Sequence, residues 1–154
     1  MSYSHYNRVA LRTELSRDEG RKPMMYLDSE GIETIGVGWN LKHNPLPEDV
    51  IDRLLDEGIE QAEEALDKIE PRWRDTSKVT QARQRALLNL AFNLGQTRLA
   101  GFKKMWESIG NAITTGNASW WDEAAKHALD SKWATQVGPR AQRIAAMFRT
   151  GNPA

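Results

Sequence analysis

A mixed α+β fold, mostly helical with one small sheet, is predicted by three observations. The only stretch with a two-residue period lies between Met24 and Leu41, where Ile35, Val37 and Trp39 alternate with Gly36, Gly38 and Asn40. On both sides of it apolar residues recur at three- and four-residue spacing, the mark of amphipathic helices. The chain has 154 residues, which suits one domain or two small lobes sharing a core. A chain of that size buries about 68–70% of its unfolded surface without a metal or disulfide staple.

Tyr6, Val9, Ala10 and Thr13 define a first helix, and Gly20 followed by Pro23 supplies its stop. Asp28-Ser29-Glu30-Gly31 sits between β-prone runs and reads as a turn, so residues 24–41 form a hairpin or small meander. Pro45 and Pro47 break the chain, and Pro47 suits the first position of a short helix whose apolar stripe is Val50, Leu54 and Leu55. Gly58 is expected to interrupt that helix. Ile59, Ala62, Leu66 and Ile69 continue a second one, stopped by Pro71. Leu87, Leu88, Leu90, Ala91, Phe92 and Leu94 are apolar nearly all round, which predicts a buried central helix ending at Gly95. Another helix is expected from about Gly101 to Ile113. Ser119 with Asp122 three residues later marks a helix start, followed by Ala124, Ala125 and Ala128. Gly138-Pro139 opens the last helix, which turns Ile144, Ala145 and Phe148 inward before Gly151.

Composition excludes several classes of protein. With 40% hydrophobic residues and six Trp the chain is too apolar for intrinsic disorder, and no run approaches the ~18 apolar residues of a membrane span. The absence of cysteine removes disulfide frameworks, thiol catalysis and Cys-based zinc sites. The first residues lack the apolar stretch of a secretory signal, so none is expected. The zero net charge conceals a division: residues 1–75 carry 10 Lys/Arg against 17 Asp/Glu, and residues 76–154 carry 11 against 4. Ten of the acids lie between Glu48 and Glu70, a pattern that reads first as a solvated helix face. The basic half suits an anionic polymer. Nucleic acid is not expected, because no Lys/Arg cluster is interleaved with aromatic side chains.

Two carboxylates near the N-terminus break a local rule. Asp18 and Glu19 end the first helix, where the macrodipole is negative and favours a cation, at a cost of a few tenths of a kcal/mol up to about 1. Such conflicts are enriched at functional sites. Asp28 follows at the edge of the predicted turn, where Asp is ordinary because its side chain bonds nearby N–H groups. A helix end and an adjoining hairpin can nevertheless face two carboxylates across a cleft. Acid-catalysed glycoside hydrolysis needs such a pair: one acid protonated to donate to the leaving oxygen, the other ionised to direct water or attack. Thr34 lies in the same sheet, where its hydroxyl is structural or holds a water.

The segments Arg17-Asp18-Glu19-Gly20, Tyr26-Leu27-Asp28-Ser29-Glu30-Gly31 and Thr34-Ile35-Gly36-Val37-Gly38 resemble the signature of the T-even phage lysozymes, glycoside hydrolase family 24. That signature is Glu, eight residues, Asp, five residues, Thr, then Ile-Gly-x-Gly, and every position matches. Arg85-Ala86-Leu87-Leu88-Asn89, Gly101-Phe102, Trp121-Asp122-Glu123-Ala124-Ala125, Ser131-Lys132-Trp133 and Phe148-Arg149-Thr150-Gly151 resemble the family's C-terminal lobe, in order. The resemblance implies one lysozyme-like domain over residues 1–154. It comprises a small β lobe at about 14–58, a connecting helix at 59–70, and a helical lobe at about 72–154 that includes the N-terminal helix.

By the same resemblance, Glu19 matches the general acid, and Asp28 and Thr34 match the pair that positions the attacking water, with inversion at the anomeric carbon. Arg140 falls where the family has an arginine beside the catalytic glutamate. Asn40, Phe92, Met105, His127 and Gln136 fall on substrate-contact or cleft positions, although Phe92 and Met105 suit a core equally. The implied activity is an endolysin, a muramidase hydrolysing the β-1,4 bond between N-acetylmuramic acid and N-acetylglucosamine of peptidoglycan. It would act as a monomer without metal or cofactor, held in the host cytoplasm until release, with no membrane insertion and no nucleic-acid partner. A lytic transglycosylase on the same fold and a non-catalytic peptidoglycan-binding protein are the alternatives; the presence of both Asp28 and Thr34 argues against them. The chain departs from the family's best-known member at Trp39, which stands in place of a histidine. It is also shorter between Leu41 and Thr80 and longer between Phe102 and Trp121, so subsites and peptide preference are expected to differ.

Overall fold

In the computed structural model, which describes residues 6–154, the predicted first helix is α1, Arg8–Glu19. Asn7 caps it, its Oδ1 accepting from the Ala10 N–H at 3.0 Å, and the Gly20 N–H closes it on the Ser16 carbonyl at 3.0 Å. No residue of α1 is buried, so caps rather than packing define its ends. The sheet is a three-stranded antiparallel meander of β1 (Lys22–Leu27), β2 (Glu33–Gly36) and β3 (Trp39–Asn40), in the order β1-β2-β3. As expected of a hairpin or small meander, the chain reverses within the alternating stretch from Ile35 to Trp39. Gly36 and Gly38 both stand at positive φ, 67° and 70°, and reverse the chain at Val37-Gly38, so that Ile35 pairs with Trp39. The turn predicted at residues 28–31 is present.

Chain contacts divide the protein into two units, Met1–Asp52 and Arg53–Ala154, with α1 grouped with the sheet. The division falls inside α2, a single helix spanning Glu48–Ile69. The break expected at Gly58 is therefore absent, and the helix starts well before residue 59. A helical glycine costs about 1 kcal/mol relative to alanine. Its value here is space: a Cβ on Gly58 would lie 2.5 Å from Cε2 of Phe92. After α2, Glu70 caps a 3₁₀ turn at Pro71–Arg74 that the periodicity did not reveal. The Arg72 guanidinium holds the Glu70 carboxyl below the usual carboxylate range, through a hydrogen bond from Nε at 2.9 Å.

The second unit continues as α3 (Gln81–Ala100), α4 (Lys103–Thr115), α5 (Ser119–Leu129), α6 (Lys132–Val137) and α7 (Pro139–Thr150). Helical dihedrals are interrupted at Gly95, where the sequence predicts an end, and a further helical stretch follows to Ala100. The start of α5 falls at Ser119 as expected, but Asn117 does the capping. Its Oδ1 accepts from the Ser119 N–H at 3.0 Å and the Ser119 hydroxyl at 2.8 Å. The core consists of side chains such as Leu66, Leu87, Leu90, Leu99, Ile109, Ile144 and Phe148, all buried. Each contributes about 1.5–3 kcal/mol of burial.

Arg83 is the charged exception in this core, 8% exposed. Its Nε donates to the Phe148 carbonyl at 2.8 Å and its Nη2 to the Arg149 carbonyl at 3.3 Å. The guanidinium also lies 4.8 Å from the centroid of the buried Trp121 ring. It thus satisfies carbonyls near the C-terminal end of α7, where the macrodipole favours a cation. Burial lowers its affinity for the proton, yet from a value so high that it stays charged.

Two predictions follow from this packing. Arg83→Met should lower unfolding stability in urea by about 2–3 kcal/mol, because it leaves buried carbonyls unsatisfied, and Arg83→Lys should not restore it. Gly58→Ala should destabilise by about 1–3 kcal/mol despite its better helix propensity. In a Phe92→Ala background the same change should instead stabilise by up to about 1 kcal/mol.

Candidate active site

Within Met1–Asp52, the sheet register arranges the predicted residues. Tyr26 pairs with Thr34 and Thr34 with Asn40, while Leu27 pairs with Glu33. One step further the Asp28 N–H donates to the Ile32 carbonyl at 2.9 Å, continuing the same register into the turn. Side chains alternate between the faces of a strand, so Tyr26, Asp28, Thr34 and Asn40 share one face.

Asp28 builds the turn that carries it. Its Oδ1 accepts from the Glu30 N–H at 2.8 Å and the Ile32 N–H at 2.9 Å, an Asx arrangement that fixes the carboxylate and leaves Oδ2 for another donor. The Thr34 hydroxyl donates to the Ile32 carbonyl at 2.9 Å, so the lone pairs of Oγ1 remain free to accept. The Ile32 carbonyl therefore receives both the Asp28 N–H and the Thr34 hydroxyl. Thr34 is 3% exposed and Asp28 half-buried.

Glu19 is the last residue of α1 and is exposed. Its carboxylate lies against the β2–β3 turn: a Cβ on Gly38 would be 3.4 Å from Glu19 Oε2 and 3.7 Å from its Cδ. A Cβ there would stand in van der Waals contact with the acid, and the φ of 70° itself favours glycine. Asp18 pairs instead with Arg17, Nε to Oδ1 at 2.9 Å, with both side chains well exposed, a pair that contributes little. The Oδ1 of Asn40 accepts from the Lys42 and His43 N–H groups, each at 3.0 Å, which leaves its amide N–H₂ as the group open to a ligand.

Within Arg53–Ala154 four of the five predicted residues line cavities. Phe92, 47% exposed, and Arg140 line one of about 350 Å³ with Leu55, Ile59, Leu88 and Asn89. The Arg140 Nε donates to Asn89 Oδ1 at 2.8 Å, so the guanidinium is held by a polar partner rather than standing free at the start of α7. Asn89 is in the recognised motif but carried no assigned role in the sequence; its spacing gives no sign that it serves Arg140. His127 is half-buried beside a second cavity of about 390 Å³ with Lys103, Lys104, Asp130 and Ser131. Met105, which suits a core or a contact equally by its sequence, is 1% exposed, packs into the core and borders that cavity. Gln136 is exposed on α6. Among the described residues no group of His, Asp and Glu side chains has the arrangement of a metal site. No described helix is long and apolar enough to cross a membrane.

The chain is similar to known proteins along nearly its whole length. It is 30% identical over 172 aligned positions to the pre-baseplate central spike protein Gp5 of Enterobacteria phage T4, an alignment that covers 94% of this chain and 28% of that protein. Two Dictyostelium discoideum proteins, named probable T4-type lysozyme 2 and probable T4-type lysozyme 1, are 27% and 23% identical, each aligned over 92% of this chain and 95% of its own length. Residues 16–145 match the family described as phage lysozyme, a span that contains Glu19, Asp28, Thr34 and Arg140. With the small antiparallel sheet and the helical core already in place, the chain belongs to the phage lysozyme family.

Proposed function

We propose that this protein is a muramidase that hydrolyses the β-1,4 bond between N-acetylmuramic acid and N-acetylglucosamine of peptidoglycan, with inversion, in host cell lysis. Membership of the phage lysozyme family supports a lysozyme-type function. The observation that carries the specific reading is the joint anchoring of Asp28 and Thr34 on the Ile32 carbonyl, on one face of the sheet.

That arrangement suits the activation of one water. The water would donate one hydrogen to Asp28 Oδ2 and the other to Thr34 Oγ1, which leaves an oxygen lone pair directed at the anomeric carbon. As the new C–O bond forms and the glycosidic C–O bond breaks, Asp28 takes the water's proton and Glu19 gives its own to the leaving oxygen. In the small unit the amide of Asn40 is the polar group assigned to substrate. On this reading the enzyme needs no metal or cofactor, works as a monomer on glycan strands, and waits in the host cytoplasm until release.

A second reading is favoured by one relative. The central spike protein contains a matching stretch within a longer chain, so the same chemistry would serve a phage baseplate rather than lysis from within. Quantitative mass spectrometry of purified particles separates the two: presence at a fixed copy number per particle favours the baseplate, and presence only in the lysate favours lysis.

Four variants test the muramidase reading. Glu19→Gln should lose at least about 100-fold in the release of reducing muramic-acid ends from purified peptidoglycan, with an unchanged circular dichroism spectrum. Asp28→Asn keeps the Asx turn and removes the charge, so it should lower kcat severely with KM little altered; full activity in either variant would sink the assignment. Gly38→Ala should cost about tenfold more activity than Gly36→Ala. Both glycines have positive φ, but only at Gly38 does the added carbon meet the Glu19 carboxylate.

A further inference from the structure

We propose that Tyr26 is a positioning residue for Thr34: its ring confines the threonine to the one rotamer in which the hydroxyl donates to Ile32 and the lone pairs face the water. The catalytic consequence rests on the muramidase reading; the hold on Thr34 does not.

Thr34 is the only buried residue among the described residues of Met1–Asp52, at 3% exposed, in a sheet whose other side chains are half-buried or exposed. Its cover on the site face comes from few neighbours. Along the chain on that face, Ile32 stands two residues before Thr34 and Gly36, which has no side chain, two residues after. Across the strands stand Tyr26 on one side and Asn40 on the other. Side chains directly opposite in an antiparallel pair have Cβ atoms about 4.5–5.5 Å apart, so both are in contact range. Asn40 is drawn away by its bonds to the Lys42 and His43 amides. Tyr26, the largest side chain in the row, is left as the wall beside Thr34.

Two further features aim the ring. The register shifts between Lys22, which pairs with Gly36, and Tyr26, which pairs with Thr34, so β1 contains a bulge between the two. Bulges re-aim the side chains that follow them. The Lys22 ammonium lies 5.4 Å from the Tyr26 ring centroid, a cation–π contact from the same strand that restrains the ring. A β-branched side chain has few χ1 choices, and a ring against one flank removes those that would turn the hydroxyl away from Ile32.

The test uses the full chain. Three-bond couplings to the Thr34 methyl carbon report its χ1 by NMR in the wild type, Tyr26→Phe and Tyr26→Ala, with Tyr26→Val as the substitute if the alanine variant does not fold. A single rotamer in wild type and Tyr26→Phe, averaged in the truncated variant, is the expected result. On peptidoglycan, the truncated variant should lose about tenfold in kcat with KM within about twofold, Tyr26→Phe should retain activity, and truncation in a Thr34→Ala background should cost little more. An unchanged Thr34 rotamer after truncation, or an equal loss with and without the Thr34 hydroxyl, would overturn the proposal. Averaged couplings in a protein that releases no sugar would refute the muramidase reading and leave the hold of Tyr26 on Thr34 standing.

Discussion

The backbone of Ile32 is the point on which the small unit turns. Its N–H donates to the Asp28 carboxylate, and its carbonyl accepts both the Asp28 N–H and the Thr34 hydroxyl. Three bonds at one residue thus fix a carboxylate, a hydroxyl and the turn between two strands. A unit of about fifty residues cannot bury enough apolar surface to hold its geometry by packing. Hydrogen bonds from the backbone take that role, and the side chains with the most to do are those the backbone holds best.

The helical unit is organised by the opposite principle. Its geometry comes from burial, and its one buried charge among the described residues enters where a helix end and an aromatic ring receive it. Arg83 meets both conditions, capping α7 while stacking on Trp121, and Trp121 packs in turn against Phe148 with ring centroids 5.5 Å apart. Gly151 lies close enough that a Cβ there would be 3.1 Å from the guanidinium. The Phe148-Arg149-Thr150-Gly151 segment, legible as a family motif, is in physical terms a receptacle for this arginine.

How far the protein could be read from its sequence depended on the range of the forces involved. Asp28 at a turn, Glu19 at a helix end and Pro139 at a helix start are local matters, and the local rules placed them correctly. Gly58 was misread as a break, because propensity weighs a glycine by its own helix and Phe92 lies more than thirty positions away in sequence. The alternation around Val37 gave no position for the second turn of the meander, because two-residue periodicity cannot register two glycines at positive φ. Met105 has the residue type of a contact and the burial of a core side chain, which only its place in the packing decides. The joint use of the Ile32 carbonyl left no trace in the sequence at all, since a backbone acceptor has no residue type.

The contrast between a sheet held by hydrogen bonds and a helical unit held by its core has a consequence for how this protein ages and is assayed. Opening of Met1–Asp52 exposes little apolar surface, so it takes place at a smaller free energy than loss of the helical core. Most of the helix, and hence most of the circular dichroism signal, belongs to the other unit. Heat inactivation should accordingly run ahead of the helical melting curve, and a preparation can retain its full ellipticity after the turn carrying Asp28 has come apart.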